Sequence, residues 1–232
     1  MKKENEQFVE NGNGRPENGQ NFFDYKKEII LFPDQALSED QKVRLSHELT
    51  PITAHGFMRD ISTKESYDAL FQDVFNHVVP CDRLNIYRAK IGNEPIAFIA
   101  TGLKVFEDLL LYHVEGIITD PKVQGKGFAN DILSRELIEC GADVLTFHTQ
   151  SILMKKLGER VSEFDLDLTR KIAEFIGTSN LVDLPEGPID QGRYGGNSLY
   201  GDIKKFDLVA IKQPRFDYLN GDAIVFAGRI KR

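Results

Sequence analysis

The 232-residue chain is predicted to form an α/β fold with a mixed, mostly antiparallel central sheet flanked by helices. Three observations predict it. Strand-like stretches at 84–91, 95–106 and 109–119 follow one another through the short turns Gly92-Asn93-Glu94 and Glu107-Asp108, the pattern of an antiparallel run. A glycine loop, Gln124-Gly125-Lys126-Gly127, then leads into an amphipathic helix over 128–140. Its Ala129, Ile132, Leu133, Leu137 and Cys140 have the spacing of one buried face, and Gly141 stands where a helix ends. The next strand, 143–147, follows that crossover helix and is expected to lie parallel to 109–119.

The other elements follow from local signals. Residues 1–20 are polar and rich in glycine and asparagine, too poor in apolar surface to offset their ordering entropy, and are expected to be disordered. Lys27 to Phe32 is a strand closed by Pro33. Ser38-Glu39-Asp40-Gln41 is a capping box that opens a helix to about Leu49, with Pro51 ending it. Ser62-Thr63-Lys64-Glu65 opens a second helix, whose Tyr67, Leu70, Phe71, Val74, Phe75, Val78 and Val79 share one face up to Pro80. Gln150 to Leu157 is expected as a short helix ending in Leu157-Gly158. Val161, Phe164, Leu168, Ile172, Phe175 and Ile176 have the spacing of another helix. Residues 181–205 are expected as a long loop dense in glycine and aromatics, which its length marks as a lid or a disordered insertion. Phe206 to Ile211 and Ala223 to Ile230, the latter after the turn Asn220-Gly221-Asp222, finish the sheet. Residues 21–232 thus read as one domain with an insertion at about 159–205.

Composition excludes several classes. A hydrophobic fraction of 41% gives a chain of this length a core, and a net charge of −7 provides no global basic field for nucleic acid. No stretch approaches ~18 consecutive apolar residues, so no membrane span is expected. Lys2 and Lys3 precede no apolar run, so no secretory signal is expected either. Cys81 and Cys140 form no Cys-x-x-Cys pair and read as reduced, buried thiols in a cytoplasmic protein.

The glycine loop carries the functional signal. Gly125 and Gly127 sit where a strand hands over to a helix N-terminus, where unpaired amides and the positive end of the helix dipole favour an anion such as pyrophosphate. The spacing is not that of a Walker A loop, and Asn130 stands where a dinucleotide fingerprint needs a third glycine. The bland alternative is an ordinary glycine-rich turn. The order Gln124-Gly125-Lys126-Gly127-Phe128-Ala129 resembles the Gln/Arg-x-x-Gly-x-Gly/Ala motif of the GCN5-related N-acetyltransferase (GNAT) family. The resemblance runs from about Leu84 to Gly158 and is faint elsewhere. It implies an acyl-CoA N-acyltransferase-like fold with acetyl-coenzyme A as co-substrate. The pyrophosphate would lie against Gln124, Gly125, Lys126, Gly127, Phe128 and Ala129, and the thioester carbonyl against the main chain of Ile117, Ile118 and Thr119. Lys126 adds a counter-charge or is simply solvated. The reaction implied is transfer of an acyl group, acetyl first, to an amine on a small molecule or a protein. The alternatives are a non-catalytic acyl-coenzyme A-binding module and, against the charge balance, transfer to a nucleic-acid base.

Such a transfer needs a base for the ammonium and an acid for the leaving thiolate. Strand alternation places Leu109, Leu111, His113, Glu115 and Ile117 on one face, so Glu115 and His113 are the candidate bases. Each has a structural alternative: Glu115 as an ion-pair partner, His113 as a satisfied core histidine. His113, Glu115 and His148 also form a conceivable metal set, without supporting local spacing. Members of the family often carry an acidic tyrosine four residues before the Leu-Gly, but Met154 occupies that position here and cannot donate a proton. Tyr194 or Tyr200 from the late loop, or water, would have to serve instead, or catalysis is lost.

Overall fold

The computed structural model describes residues 8–12, 25–178, 180–183, 187–195, 198–207, 210–213 and 215–231, with 8–12 and 203 as backbone. In chain order the first elements are β1 (Phe8–Gly12), β2 (Tyr25–Leu31), α1 (Pro33–Ala36), α2 (Glu39–Gly56), α3 (Lys64–His77), β3 (Arg83–Ala89), β4 (Pro95–Phe106) and β5 (Leu109–Thr119). Then come α4 (Phe128–Glu139), β6 (Val144–Thr149), α5 (Ile152–Val161), β7 (Ser162–Phe164) and α6 (Leu166–Phe175). The chain closes with β8 (Leu181–Val182), β9 (Ile189–Asp190), α7 (Ile203–Phe206), a 3-10 turn (Tyr218–Asn220) and β10 (Ala223–Ile230). The architecture is a mixed α/β one with a mostly antiparallel sheet, as expected. Among the described residues no helix is long and apolar enough to cross a membrane.

Contacts divide the chain into two compact units. One comprises Met1–Gly56, Asp60–Gly102 and Glu115–Ala129; the other comprises Phe57–Arg59, Leu103–Val114 and Asn130–Arg232. In the first unit the strands run β1-β2-β3-β4-β5. Phe8–Gly12, expected in a disordered tail, instead pairs with Tyr25–Ile29 of β2; residues 1–7 and 13–20 lie outside the described residues. The β3–β4 turn has Gly92 at φ +87° and Asn93 at +60°, the left-handed pair that a tight hairpin turn requires. Phe128, in the first turn of α4, meets Tyr25 edge-on at 5.5 Å and Tyr87 at 6.0 Å, which anchors the helix start in apolar packing.

The Ser38 capping box forms as read: the Ser38 amide donates to Gln41 Oε1 at 2.8 Å and the Gln41 amide returns a long bond to Ser38 Oγ at 3.4 Å. Pro51 does not end α2, which continues to Gly56. Both Pro51 and His47, whose carbonyl loses its helical donor, lie on the exposed side, where the carbonyl is open to solvent and the proline is tolerated. At α3 the cap is Thr63, which accepts from the Ser66 amide at 3.1 Å.

In the second unit β5 is parallel to β6, through Leu111↔Val144 to Val114↔Phe147. The order continues β6-β10-β9-β8, with β7 also pairing β10. α6 packs Leu168 and Ile172 on Leu111, Val144 and Ala227. Leu157-Gly158 does not end α5, which runs on to Val161. Gly158 is there for packing: a Cβ would lie 2.7 Å from the Phe147 ring, which is itself stacked on Phe226 at 4.6 Å. The predicted helix starting at Val161 is also corrected. Ser162–Phe164 is recruited as an edge strand by Gly228–Ile230, and the helix starts later, where Asp165 accepts from the Leu168 amide at 2.9 Å. Nor do the described residues of the stretch 206–211 form a sheet strand. Phe206 ends the helical turn α7 and Ala210 makes only a single bridge to Ser151, with 208–209 outside the described residues.

Candidate active site

The cradle read from the sequence lies in the first unit. β5 ends at Thr119, the Asp120 amide donates to the Ile96 carbonyl at 2.8 Å, and the chain turns through Pro121 into the glycine loop. Gln124 Nε2 donates to the Thr119 carbonyl at 2.8 Å, which ties the loop back to the strand end. Gly125 and Gly127 take φ values of +72° and +79°, a conformation that costs a residue with a Cβ. A Cβ built on Gly125 meets nothing within 4 Å, so the loop presents bare main chain to open space. The helix then starts at Phe128, leaving the amides of its first turn without intrahelical acceptors. The Phe128 side chain is buried in the core, so only its amide can serve a ligand, and Ala129 is half-buried. Lys126 Nζ donates to the Lys122 carbonyl at 3.0 Å, so its ammonium lies over the loop itself.

Glu115 and Ile117–Thr119 belong to the same unit. The pairing of β5 with β6 ends at Val114, so these residues follow the last paired position, as a parting of the two strands requires. Glu115 is exposed, whereas Ile118 is buried. The Glu115 charge also acts on Cys81, whose thiol is pushed up to about 12, chiefly by burial.

His113, Tyr194 and Tyr200 lie in the second unit. His113 is buried, its Nδ1 2.7 Å from Thr146 Oγ1, and burial, assisted by the charges of Lys104 and Arg193, lowers its pKa to about 4. It is a satisfied core histidine. Its ring meets His148 edge-on at 5.8 Å. Burial and the positive charge of Arg193 hold His148 neutral, with a pKa lowered to about 2. Its Nε2 makes no hydrogen bond but lies 3.6 Å from Asp190 Oδ2, a contact that would favour the charged form. Desolvation and Arg193 prevail over it at this spacing. Among the described residues no group of three or more His, Cys, Asp or Glu could hold a metal ion.

The late segment is built rather than irregular. β8 and β9 form a hairpin on β10, and Asp222, buried, accepts from the amides of Gly192 and Asp217 at 3.0 Å each. The Tyr194 amide donates to the Gly221 carbonyl at 3.0 Å, and its hydroxyl makes a long contact of 3.5 Å with the His148 carbonyl. Tyr200 stacks on Phe206 at 3.7 Å, meets Phe57 edge-on at 5.5 Å and hydrogen-bonds through its hydroxyl to the Ser151 side chain. Burial raises its pKa to about 12, so it keeps its proton at neutral pH. Ser151 is the N-cap of α5 and was legible as a cap at most; that it receives Tyr200 was not legible at all.

No family model matches the sequence, and no curated protein does. Many of the solved structures that match are GNAT-family N-acetyltransferases. One is the NatC complex bound to Gag peptide and CoA, at 12% identity over 88% of this chain and 99% of that chain, with a TM-score of 0.38. A second is the ribosomal-protein-S5-alanine acetyltransferase from Vibrio fischeri, at 14% identity over 89% and 93%, with a TM-score of 0.42. A third, a GNAT family N-acetyltransferase from Escherichia coli in complex with CoA, is 19% identical over 53% and 64%, with a TM-score of 0.34.

Proposed function

We propose that the protein transfers an acyl group, acetyl in the first instance, from acyl-coenzyme A to an amine on a small molecule or a protein. The observation that carries this reading is the cradle: two left-handed glycines with open space over Gly125, immediately before a helix N-terminus whose first turn is anchored by Phe128. Main-chain amides of Gly125 to Ala129 converge on a diphosphate without a Cβ in the way, and the helix dipole adds to the attraction. Amides of Ile117 to Thr119 that point away from β4 are available to a thioester carbonyl.

Of the two candidate bases, Glu115 is the one we assign to the ammonium, through water, because it is exposed while His113 is committed to Thr146. For the leaving sulfur the candidate acid is Tyr200, a phenol that is protonated at neutral pH with its hydroxyl paired to Ser151. Gly127→Glu tests the cradle. Isothermal titration with coenzyme A should show binding abolished while circular dichroism shows an unchanged fold; unaltered affinity would remove the basis of the assignment. Tight binding by the wild type without transfer to any member of an amine panel would favour a binding module.

A further inference from the structure

A cavity of about 300 Å³ opens wholly within the second unit, between α4, the last turn of α5 and the residue that follows β10. That volume is at the lower end of those that hold small molecules. Leu137 of α4 and Val161 of α5 line it and are buried, which gives the cavity an apolar floor. Ile138 also lines it and is 76% exposed, so a large apolar side chain is left in water beside that floor. Polar groups reach the cavity from three elements: Asn130 from α4, Arg160 from α5 and Lys231 after β10.

The sign of the charge decides what could sit there. The chain carries 36 acidic side chains against 29 basic ones, yet two bases and no acid line this cavity. Lys231 Nζ donates to the Glu159 carbonyl at 2.6 Å and makes a long contact of 3.4 Å with the Arg160 carbonyl. It therefore caps α5 and offsets the partial negative charge of that helix end. The Arg160 guanidinium is different: among the described residues it makes no hydrogen bond and no ion pair. An arginine of this kind on an open surface would simply be solvated. Here it shares a cavity with Asn130, which is half-buried and whose Oδ1 is buried with no donor. A buried amide oxygen left in that state costs about 1–3 kcal/mol. No bond to a described residue holds the carboxamide, so it can turn and offer its N–H groups to a ligand.

We propose that this cavity binds a small organic monoanion, a carboxylate carried on an apolar body. The carboxylate takes the Arg160 fork, with the Asn130 amide as a further donor, and the body lies on Leu137 and Val161 and covers Ile138. Lys231 is largely spent on the helix end, which leaves about one positive charge to be met and favours a monoanion over a doubly charged phosphate. Such binding makes no use of the glycine loop and does not depend on acyl transfer.

The test is a titration of the full-length protein, labelled at its isoleucine and valine methyl groups, with benzoate at neutral pH. Ile138 and Val161 are assigned by the loss of their signals in Ile138→Val and Val161→Ile. Benzoate should shift both signals saturably. Benzamide, with the same shape and no charge, should bind roughly 10-fold more weakly or worse. Arg160→Gln should lower the benzoate affinity by a similar factor with an unchanged circular dichroism spectrum, and Arg160→Lys, which keeps the charge without the fork, should fall between. The absence of a saturable shift at these methyls, equal affinity for benzamide, or an Arg160→Gln variant that binds like the wild type would each overturn the proposal. Tighter binding of phenyl phosphate than of benzoate would overturn the assignment to a monoanion. None of these measurements involves coenzyme A or turnover, so their failure and that of the acyl-transfer reading are separate results.

Discussion

Acidification should destabilise this protein through His113, in proportion to how far burial depresses its pKa. In the unfolded chain its imidazole titrates near the ordinary histidine value of 6.5; in the folded protein burial lowers that to about 4. A depressed histidine pKa means that the unfolded state binds the proton first. Stability therefore rises with pH through this window, is fully present above about 6.5 and is lost as pH falls toward 4. Linkage over that interval gives a loss of about 2 kcal/mol by pH 5 and about 3 kcal/mol by pH 4 from His113 alone. His148, depressed further for the same first reason, adds in the same direction, and the contact between the two rings makes their contributions non-additive. Carboxylates also titrate in this range, so the measurement is a difference. Urea unfolding at several pH values from 7 to 5, in the wild type and in His113→Gln, isolates the term. The variant will be less stable at pH 7, because a different amide replaces the imidazole beside Thr146. The gap between the two should then shrink by about 2 kcal/mol on going to pH 5. A gap independent of pH would refute the reasoning, and would mean that His113 remains solvated enough to titrate as it does in the unfolded chain.

Two further outcomes are expected. Glu115→Gln should bind acetyl-coenzyme A like the wild type but turn over roughly 10²-fold more slowly, with partial recovery at high pH where free amine is available; joint loss of binding and turnover would make the carboxylate structural. Gly158→Ala forces a methyl group against the Phe147 ring and should cost roughly 1–3 kcal/mol, read as a lower urea midpoint with an unchanged slope; a variant as stable as wild type would show that the stacked Phe147 and Phe226 rings can yield.

Much of the candidate donor site was legible because its signals are local. β4 and β5 have the bounds that their turns implied, and the glycine loop and the start of α4 followed from neighbouring residues alone, whereas the left-handed φ of Gly125 and Gly127 is a finding of the structure. The misreadings share a cause. Val161 and Phe164 have helical spacing, but the free edge beside Gly228–Ile230 offered Ser162–Phe164 backbone partners, and the pairing prevailed over the periodicity. Leu157-Gly158 has the form of a helix end, yet that glycine answers to two aromatic rings on β6 and β10. Strand alternation placed His113 and Glu115 on one face but could not show that the first is buried and the second exposed, because that difference follows the end of the β5–β6 pairing.

What the amino-acid order determined by itself was the set of short-range devices: hairpin turns, helix caps and a glycine cradle at a helix N-terminus, each decided within a few residues by sterics and hydrogen bonding. What only the tertiary structure decided was which distant groups meet. Gln150 bonds to positions 49, 68 and 72 residues away, and the Tyr200 hydroxyl meets Ser151 across a separation of 49. Such contacts leave no periodic trace in the sequence. They exist only once the surrounding core has met the entropic cost of bringing the segments together, and that balance belongs to the packed molecule rather than to any stretch of it.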